Sequence, residues 1–246
     1  MSFVTMEFYG ESIQKMCSLY VLTPDLEGPL PVLYLLHGLS DNHSVWFRRT
    51  ALERYVQDLP LIVVMPDAHR SFYVNDKRPG GLNYEAHIAG DVVGIVDRTF
   101  HTVRDPAGRG VAGLSMGGYG AVMLALRHPE VFSLACSHSG AMQFAHSPSH
   151  IRPDVDEYAE LFDAGEYDVF HLARRAKRKG RLPALYLDCG TEDPLLAINR
   201  QYHAHLEKLQ IDHEYTEYGG AHDWDYWDLH IRQSLAFAMA RLGRQA

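Results

Sequence analysis

The runs Val32 to Leu36 and Leu61 to Met65 are apolar at every position. A strand that alternates inside and outside shows every second residue to water, so an unbroken run predicts strands buried on both faces of a parallel sheet. Further strand candidates end at Leu114, Ser137 and Cys189, and a last one covers His213 to Tyr218. Between them the apolar residues fall at helical spacing: Arg48 to Leu59, then Ile88, Val92, Ile95, Val96 and Phe100. The same spacing returns over Tyr119 to Arg127, Leu195 to Leu209 and Trp227 to Leu242, the last with Ile231, Leu235 and Ala238 on one face. The N-terminal stretches Val4 to Tyr9 and Met16 to Leu22 alternate instead, which predicts an antiparallel edge. Strands alternating with helices over the whole length predict one α/β domain across 1–246, with a mostly parallel, doubly wound sheet.

Two stretches interrupt that rhythm. Ala68 to Tyr84 is a long Gly-, Pro- and Asn-rich loop carrying His69, Arg70, Phe72, Tyr73, Asn75 and Asn83, and a loop of that length in a compact domain is expected to be functional or mobile. Met142 to Arg181 holds short helices of mixed composition, which fit either a small cap or a crossover to the next strand.

Composition narrows the function classes. With 246 residues, 46% of them hydrophobic, the chain can bury one large core. A net charge of −8 argues against nucleic acid or an anionic membrane surface as partner, and the one basic run, Arg174 to Lys179, reads as a solvated helix face. Three cysteines, Cys17, Cys136 and Cys189, are an odd number at no metal-like spacing and read as buried small hydrophobes in a reducing compartment. No H-E-x-x-H or paired-cysteine site appears, so neither a metal nor an organic cofactor is expected. No leader pattern opens the sequence and no apolar run reaches the roughly 20 residues of a membrane span, which predicts a soluble, cytoplasmic protein. Oligomeric state, a homo-oligomer included, is left open.

The candidate chemistry centres on Val111 to Gly120 (VAGLSMGGYG), a strand that stops on Ser115 and turns at once into a helix. A nucleophile on such a turn sits in strained backbone, so the residues two before and two after it need almost no side chain; here they are Gly113 and Gly117. Gly118 and Gly120 would let the helix pack closely against the sheet. The N–H of Met116 falls at the new helix N-terminus, where it can meet a developing oxyanion.

A serine hydroxyl is a poor nucleophile at neutral pH and needs a base, and the base needs a group that fixes its tautomer. Of the 15 histidines, His222 alone lies in a Gly-rich loop directly after the last strand. Asp193, after the preceding strand, is the favoured acid, with Asp188 and Glu192 as competitors. The second oxyanion donor is expected from the loop after the first central strand, where Gly38 permits a tight turn and offers the N–H of Leu39. Trp46, Phe72, Tyr73, Met142, Phe144 and Trp224 are the candidate substrate walls, and such bulky neighbours would suit a short acyl group.

The segments LLHGLSDNHSVW (35–46), GLSMGGYGA (113–121), CGTED (189–193) and GGAHDW (219–224), in that order, make the chain resemble the esterase D family of α/β-hydrolases. That family takes in tributyrin-type esterases, S-formylglutathione hydrolases and antigen 85 mycolyltransferases, and the chain is most similar to the small bacterial tributyrin-type esterases. The resemblance implies an α/β-hydrolase fold and a serine carboxylesterase acting on short acyl esters of small molecules. Its triad would be Ser115, Asp193 and His222, with Leu39 and Met116 as oxyanion donors. S-formylglutathione hydrolases usually carry a cysteine in the loop after the first central strand and a histidine after the elbow glycines. This chain has Ser40-Asp41 and Tyr119 there, which counts against a glutathione thioester. Acetyl and feruloyl esters remain as alternatives, as does a non-catalytic hydrolase-like binding scaffold.

Overall fold

The computed structural model describes residues 1–145 and 162–243. Its frame is an eight-stranded sheet in the order β1-β2-β4-β3-β5-β6-β7-β8. The strands are β1 (Ser2–Gly10), β2 (Lys15–Thr23), β3 (Val32–Leu36), β4 (Ile62–Pro66), β5 (Arg109–Leu114), β6 (Leu134–His138), β7 (Ala184–Gly190) and β8 (Glu214–Tyr218). β1 and β2 pair antiparallel, β2 runs antiparallel to β4, and every other pairing is parallel. This is the α/β-hydrolase arrangement, with the antiparallel edge where the alternating N-terminal pattern put it.

The unbroken apolar strands are filled from both sides. Val32, Tyr34 and Leu36 of β3 belong to one hydrophobic cluster, while Leu33 and Leu35 belong to the cluster on the opposite face. All five side chains of β3 are buried, each contributing on the order of 1.5–3 kcal/mol by leaving water. The three cysteines are free and buried. Burial pushes the Cys17 thiol up to about 11 and the Cys136 thiol up to about 12, as inert hydrophobes require.

Helices cover both faces: α1 (Val45–Arg49), α2 (Leu52–Val56), α3 (Tyr84–Ala86), α4 (Val93–Thr99), α5 (Met116–Arg127), α6 (Ala164–Tyr167), α7 (Val169–Lys179), α8 (Leu196–Lys208) and α9 (Trp224–Arg241). The single helix expected over Arg48 to Leu59 is two, because Thr50 is extended there. Its hydroxyl donates to the Trp46 carbonyl and accepts from the Leu52 N–H, so the broken helix loses little. A wide π turn, His87–Val92, joins α3 to α4, and the helical stretch starts four residues earlier than the apolar spacing indicates because Tyr84 and Glu85 are buried. The last helix starts at Trp224 rather than Trp227, since Asp223 caps it by accepting from the Tyr226 N–H at 3.0 Å.

Of the stretch Met142 to Arg181, residues 146–161 lie outside the described ones, so the cap reading falls largely there. The remainder behaves as core and crossover: Met142 and Phe144 are buried, and α7 packs on α5 with its Val169, Leu172, Ala173 and Ala176 buried. The basic run lies on α7, with Lys177, Arg178 and Lys179 in its last turn, where cations meet the negative end of the helix dipole.

Candidate active site

Ser115 follows the last residue of β5 and caps α5 with φ 52° and ψ −115°. A non-glycine residue there costs on the order of 1–3 kcal/mol and persists only when its surroundings hold it. Here the Ser115 N–H donates to the His138 carbonyl at 2.9 Å, and its own carbonyl accepts from the N–H groups of Tyr119 at 3.0 Å and Ala141 at 3.1 Å. The flanking glycines are a steric demand. A Cβ on Gly113 would stand 2.5 Å from the Gly117 carbonyl, and one on Gly117 would stand 2.6 Å from the Leu36 oxygen and 2.7 Å from that of His37. Gly120 serves a different neighbour from the one expected: it makes room for the Tyr73 ring rather than for the sheet.

His222, on the loop between β8 and α9, sets Nε2 3.0 Å from Ser115 Oγ and Nδ1 2.8 Å from Asp193 Oδ2. Asp193 lies between β7 and α8, 5% exposed, with Oδ1 accepting from the Leu195 N–H at 2.7 Å. Burial alone would raise its carboxyl pKa, but the bonds from His222, Leu195 and Ser139 outweigh it and hold the group below the ordinary carboxylate range. An ionised Asp193 accepts only, so Nδ1 of His222 carries the proton and Nε2 is free to take one from serine. The two loops are stitched together by backbone: the Thr191 N–H donates to the Tyr218 carbonyl at 2.8 Å and that of Glu192 to the Gly220 carbonyl at 2.9 Å. Of the competing acids, Glu192 is exposed, and Asp188 is fully buried and bonded to His138 and Tyr226.

Met116 and Leu39 line the same cleft, and among the described residues the N–H of neither is seen to donate to an acceptor within the chain. The loop that presents Leu39 is fixed by the buried His37 ring: Nε2 accepts from the Ala68 N–H at 2.9 Å, which leaves the proton on Nδ1 to donate to the Gly38 carbonyl at 2.7 Å.

The cleft measures about 470 Å³ and its walls include Leu39, Phe72, Leu195, Trp224 and Trp227, with Asp41 and Asp223 as carboxylates. Trp224 and Phe72 therefore stand where the sequence placed them, whereas Trp46, Tyr73, Met142 and Phe144 do not line it. Trp46 is 1% exposed and spends its indole N–H on the Leu36 carbonyl at 2.9 Å, behind Trp224. Tyr73 is fully buried and donates its hydroxyl to the His37 carbonyl at 2.9 Å; Met142 packs against Gly140. Phe144 is stacked behind Phe72 at 3.6 Å. Bulk in the sequence marks core as readily as wall, and these four are core. A larger cavity of about 650 Å³, between Lys15 and the Arg70 to Tyr84 loop, holds none of the Ser115, His222 or Asp193 side chains.

Sequence reasoning missed Ser139 and Trp227. Ser139, at φ 51°, accepts from the Trp227 indole N–H at 3.3 Å and bonds Asp193, while the Trp227 ring packs edge-on against His222 at 4.9 Å. Only the Ser-Gly pair at the end of a strand hinted at a turn there. Among the described residues no helix is long and apolar enough to cross a membrane, and no group of three or more His, Cys, Asp or Glu side chains is set to hold a metal ion.

Residues 10–238 match the family model described as "Putative esterase". The acetyl esterase of Caldicellulosiruptor saccharolyticus is 26% identical, with 96% of this chain and 97% of that protein covered. Among solved structures, the substrate-bound serine hydrolase FphF of Staphylococcus aureus superposes with a TM-score of 0.88 at 25% identity, over 97% of this chain and 98% of that one. The S-formylglutathione hydrolase FrmB of the same organism shares the fold, with a TM-score of 0.87 at 24% identity over 97% and 98%.

Proposed function

Since the chain belongs to the esterase family and is a carboxylic ester hydrolase, we propose that Ser115, His222 and Asp193 carry its reaction and that its substrates are short-chain acyl esters of small alcohols. One observation carries this: Ser115 Oγ, on a strained turn at the floor of a cleft, lies 3.0 Å from an imidazole nitrogen whose partner nitrogen is held by an ionised carboxylate.

In this mechanism the Ser115 hydroxyl adds to the ester carbonyl as His222 Nε2 takes its proton. The oxyanion that forms is met by the N–H groups of Met116 and Leu39. Losing one such donor typically costs about 3–4 kcal/mol of transition-state stabilisation. Collapse breaks the bond to the alcohol, which leaves with the proton from His222, and the acyl group stays on Ser115. Water then adds to the acyl-enzyme by the same route, and the acid departs. Asp193 keeps the imidazole in its tautomer and stabilises the imidazolium. A cleft of about 470 Å³ lies toward the small end of ligand pockets, which favours acetyl to butyryl groups over long chains.

The test compares purified wild type with Ser115→Ala on p-nitrophenyl acetate and butyrate. Cleavage by the wild type well above the variant is expected; equal rates would refute the assignment. A panel of acyl lengths with S-formylglutathione and methyl ferulate then separates the substrate classes, with the short oxyesters expected to lead.

A further inference from the structure

A second serine, histidine and aspartate stand in a row at the base of the site. His138, the last residue of β6, sets Nδ1 2.8 Å from Asp188 Oδ2 on β7 and Nε2 2.7 Å from Ser234 Oγ on α9. The other Asp188 oxygen accepts from the Tyr226 hydroxyl at 3.0 Å. His138, Asp188 and Ser234 are all 0% exposed. With Asp188 as the acceptor on one side, Nδ1 of His138 donates to it and Nε2 accepts from the Ser234 hydroxyl. No substrate reaches this row, and Ser234 lies inside a helix with its backbone N–H spent, so it is not a second nucleophile.

Its backbone leads straight to the first row. The His138 carbonyl accepts the Ser115 N–H at 2.9 Å, and Ala141, three residues on, donates its N–H to the Ser115 carbonyl at 3.1 Å. Between them Ser139 donates its N–H to the Asp188 carbonyl at 2.8 Å, and its hydroxyl bonds Asp193. Residues 138–141 therefore hold the serine turn on both sides and touch the acid. Their anchor is the His138 imidazole, pinned between β7 and α9, the helix that follows the His222 loop.

We propose that the buried chain Ser234–His138–Asp188–Tyr226 is a positioning device for the ester-cleaving residues, holding the end of β6 so that Ser115 stays in its strained conformation, in register with Asp193 and His222. This rests on Ser115 being the nucleophile. None of the four residues touches substrate. Loss of the Ser234 hydroxyl leaves His138 Nε2 buried without a partner, and the ring then relaxes away from α9 and takes the strand end with it. A small displacement of a nucleophile is felt in the chemical step rather than in binding.

The experiment measures kcat and KM on p-nitrophenyl butyrate, with active sites counted by fluorophosphonate labelling, for wild type, Ser234→Ala, Ser234→Thr and Tyr226→Phe. Ser234→Ala is expected to lower kcat per labelled site about tenfold with KM within about twofold, and Ser234→Thr, which keeps the hydroxyl, to return it to within about twofold of wild type. Unchanged kcat per site in Ser234→Ala, with only the melting temperature lowered, would overturn the proposal. So would a loss carried by KM, or a threonine variant as slow as the alanine one. Should Ser234→Ala not fold, Tyr226→Phe decides, since it removes one oxygen: about threefold lower kcat supports the device and an unchanged kcat refutes it. Wild-type turnover above the Ser115→Ala level is the control; its absence refutes the esterase assignment, whereas its presence beside an unaffected Ser234→Ala refutes the positioning role alone.

Discussion

Two rows of serine, histidine and aspartate are built around one sheet, and their internal geometry is nearly the same. Serine to histidine is 3.0 Å in one and 2.7 Å in the other, and histidine to aspartate is 2.8 Å in both. What separates them is backbone and access. Ser115 stands on a turn at φ 52° in the wall of a cleft, whereas Ser234 sits inside α9, 0% exposed. The His222 side chain is 26% exposed and that of His138 is 0% exposed. On the proposed assignment of Ser115 as the nucleophile, the residue types and spacings of a triad are not sufficient for nucleophilic chemistry. A strained, glycine-flanked turn, unspent N–H donors and a route for substrate make the difference.

The widest gap between the rows should appear in their serines. Ser115→Ala is expected to lower kcat on p-nitrophenyl acetate by on the order of 10⁵-fold or more, against about tenfold for Ser234→Ala. A steady-state assay checks both, with Ser115→Ala normalised to folded protein because it has no serine hydroxyl to label and Ser234→Ala to labelled sites, and the reverse order would break the comparison. Next come the acids. Asp193→Asn leaves His222 free to take the wrong tautomer and should cost about 10⁴-fold in kcat at neutral pH, a loss read in the same assay.

The first row was legible in the sequence and the second was not, for physical reasons. A nucleophile turn needs small residues at fixed positions, so Gly113 and Gly117 announce Ser115, and the loops after β7 and β8 single out Asp193 and His222. Ser234 is one polar residue in a helix, and nothing local says that its hydroxyl meets a histidine 96 positions away. The central strands were readable because burial on both faces removes polar residues from β3 and β4. The break at Thr50 was not, because a side chain that replaces helical hydrogen bonds leaves the apolar spacing intact. The substrate walls were least legible: Trp46 and Trp224 are equally bulky, and only tertiary packing makes one core and the other cleft.

A smaller effect tests whether the turn, rather than the side chains, distinguishes the rows. In Gly117→Ala the new methyl meets the backbone oxygens of Leu36 and His37, which cannot swing aside as a side-chain tip could. Either the turn or the Leu39 loop must shift, and a loss of about 10²-fold in kcat is expected with Ser115, His222 and Asp193 all present. An alanine variant as fast as wild type would show that the spacing at the turn is looser than the contacts imply.

The smallest expected effect on rate comes from a third buried carboxylate that belongs to neither row, and it separates positioning from plain stability. Glu85, 2% exposed, accepts from Arg127 at 2.6 Å, His128 at 2.7 Å and the Tyr167 hydroxyl at 2.7 Å. Burial alone would raise its carboxyl pKa, but these donors prevail and bring it from 4.5 down to about 2. For His128, burial works against the charged form, but Glu85 and Glu130 outweigh it and raise the imidazole pKa above 6.5. A depressed carboxyl contributes stability that is whole above 4.5 and lost as pH falls toward 2. A raised imidazole contributes stability that is whole below 6.5 and lost as pH rises through its folded value. Wild type should therefore exceed Glu85→Gln by roughly 2–3 kcal/mol, with the gap widest between pH 4.5 and 6.5, closing on the acid side and narrowing on the alkaline side by the His128 share alone, as denaturant titrations across pH would show. Turnover per labelled site should stay within about twofold, because no Glu85 hydrogen bond reaches Ser115, His222, Asp193 or residues 138–141. If Glu85→Gln slows kcat per site as much as Ser234→Ala, loss of stability alone suffices to disturb the serine turn, and the buried row has no special hold on it.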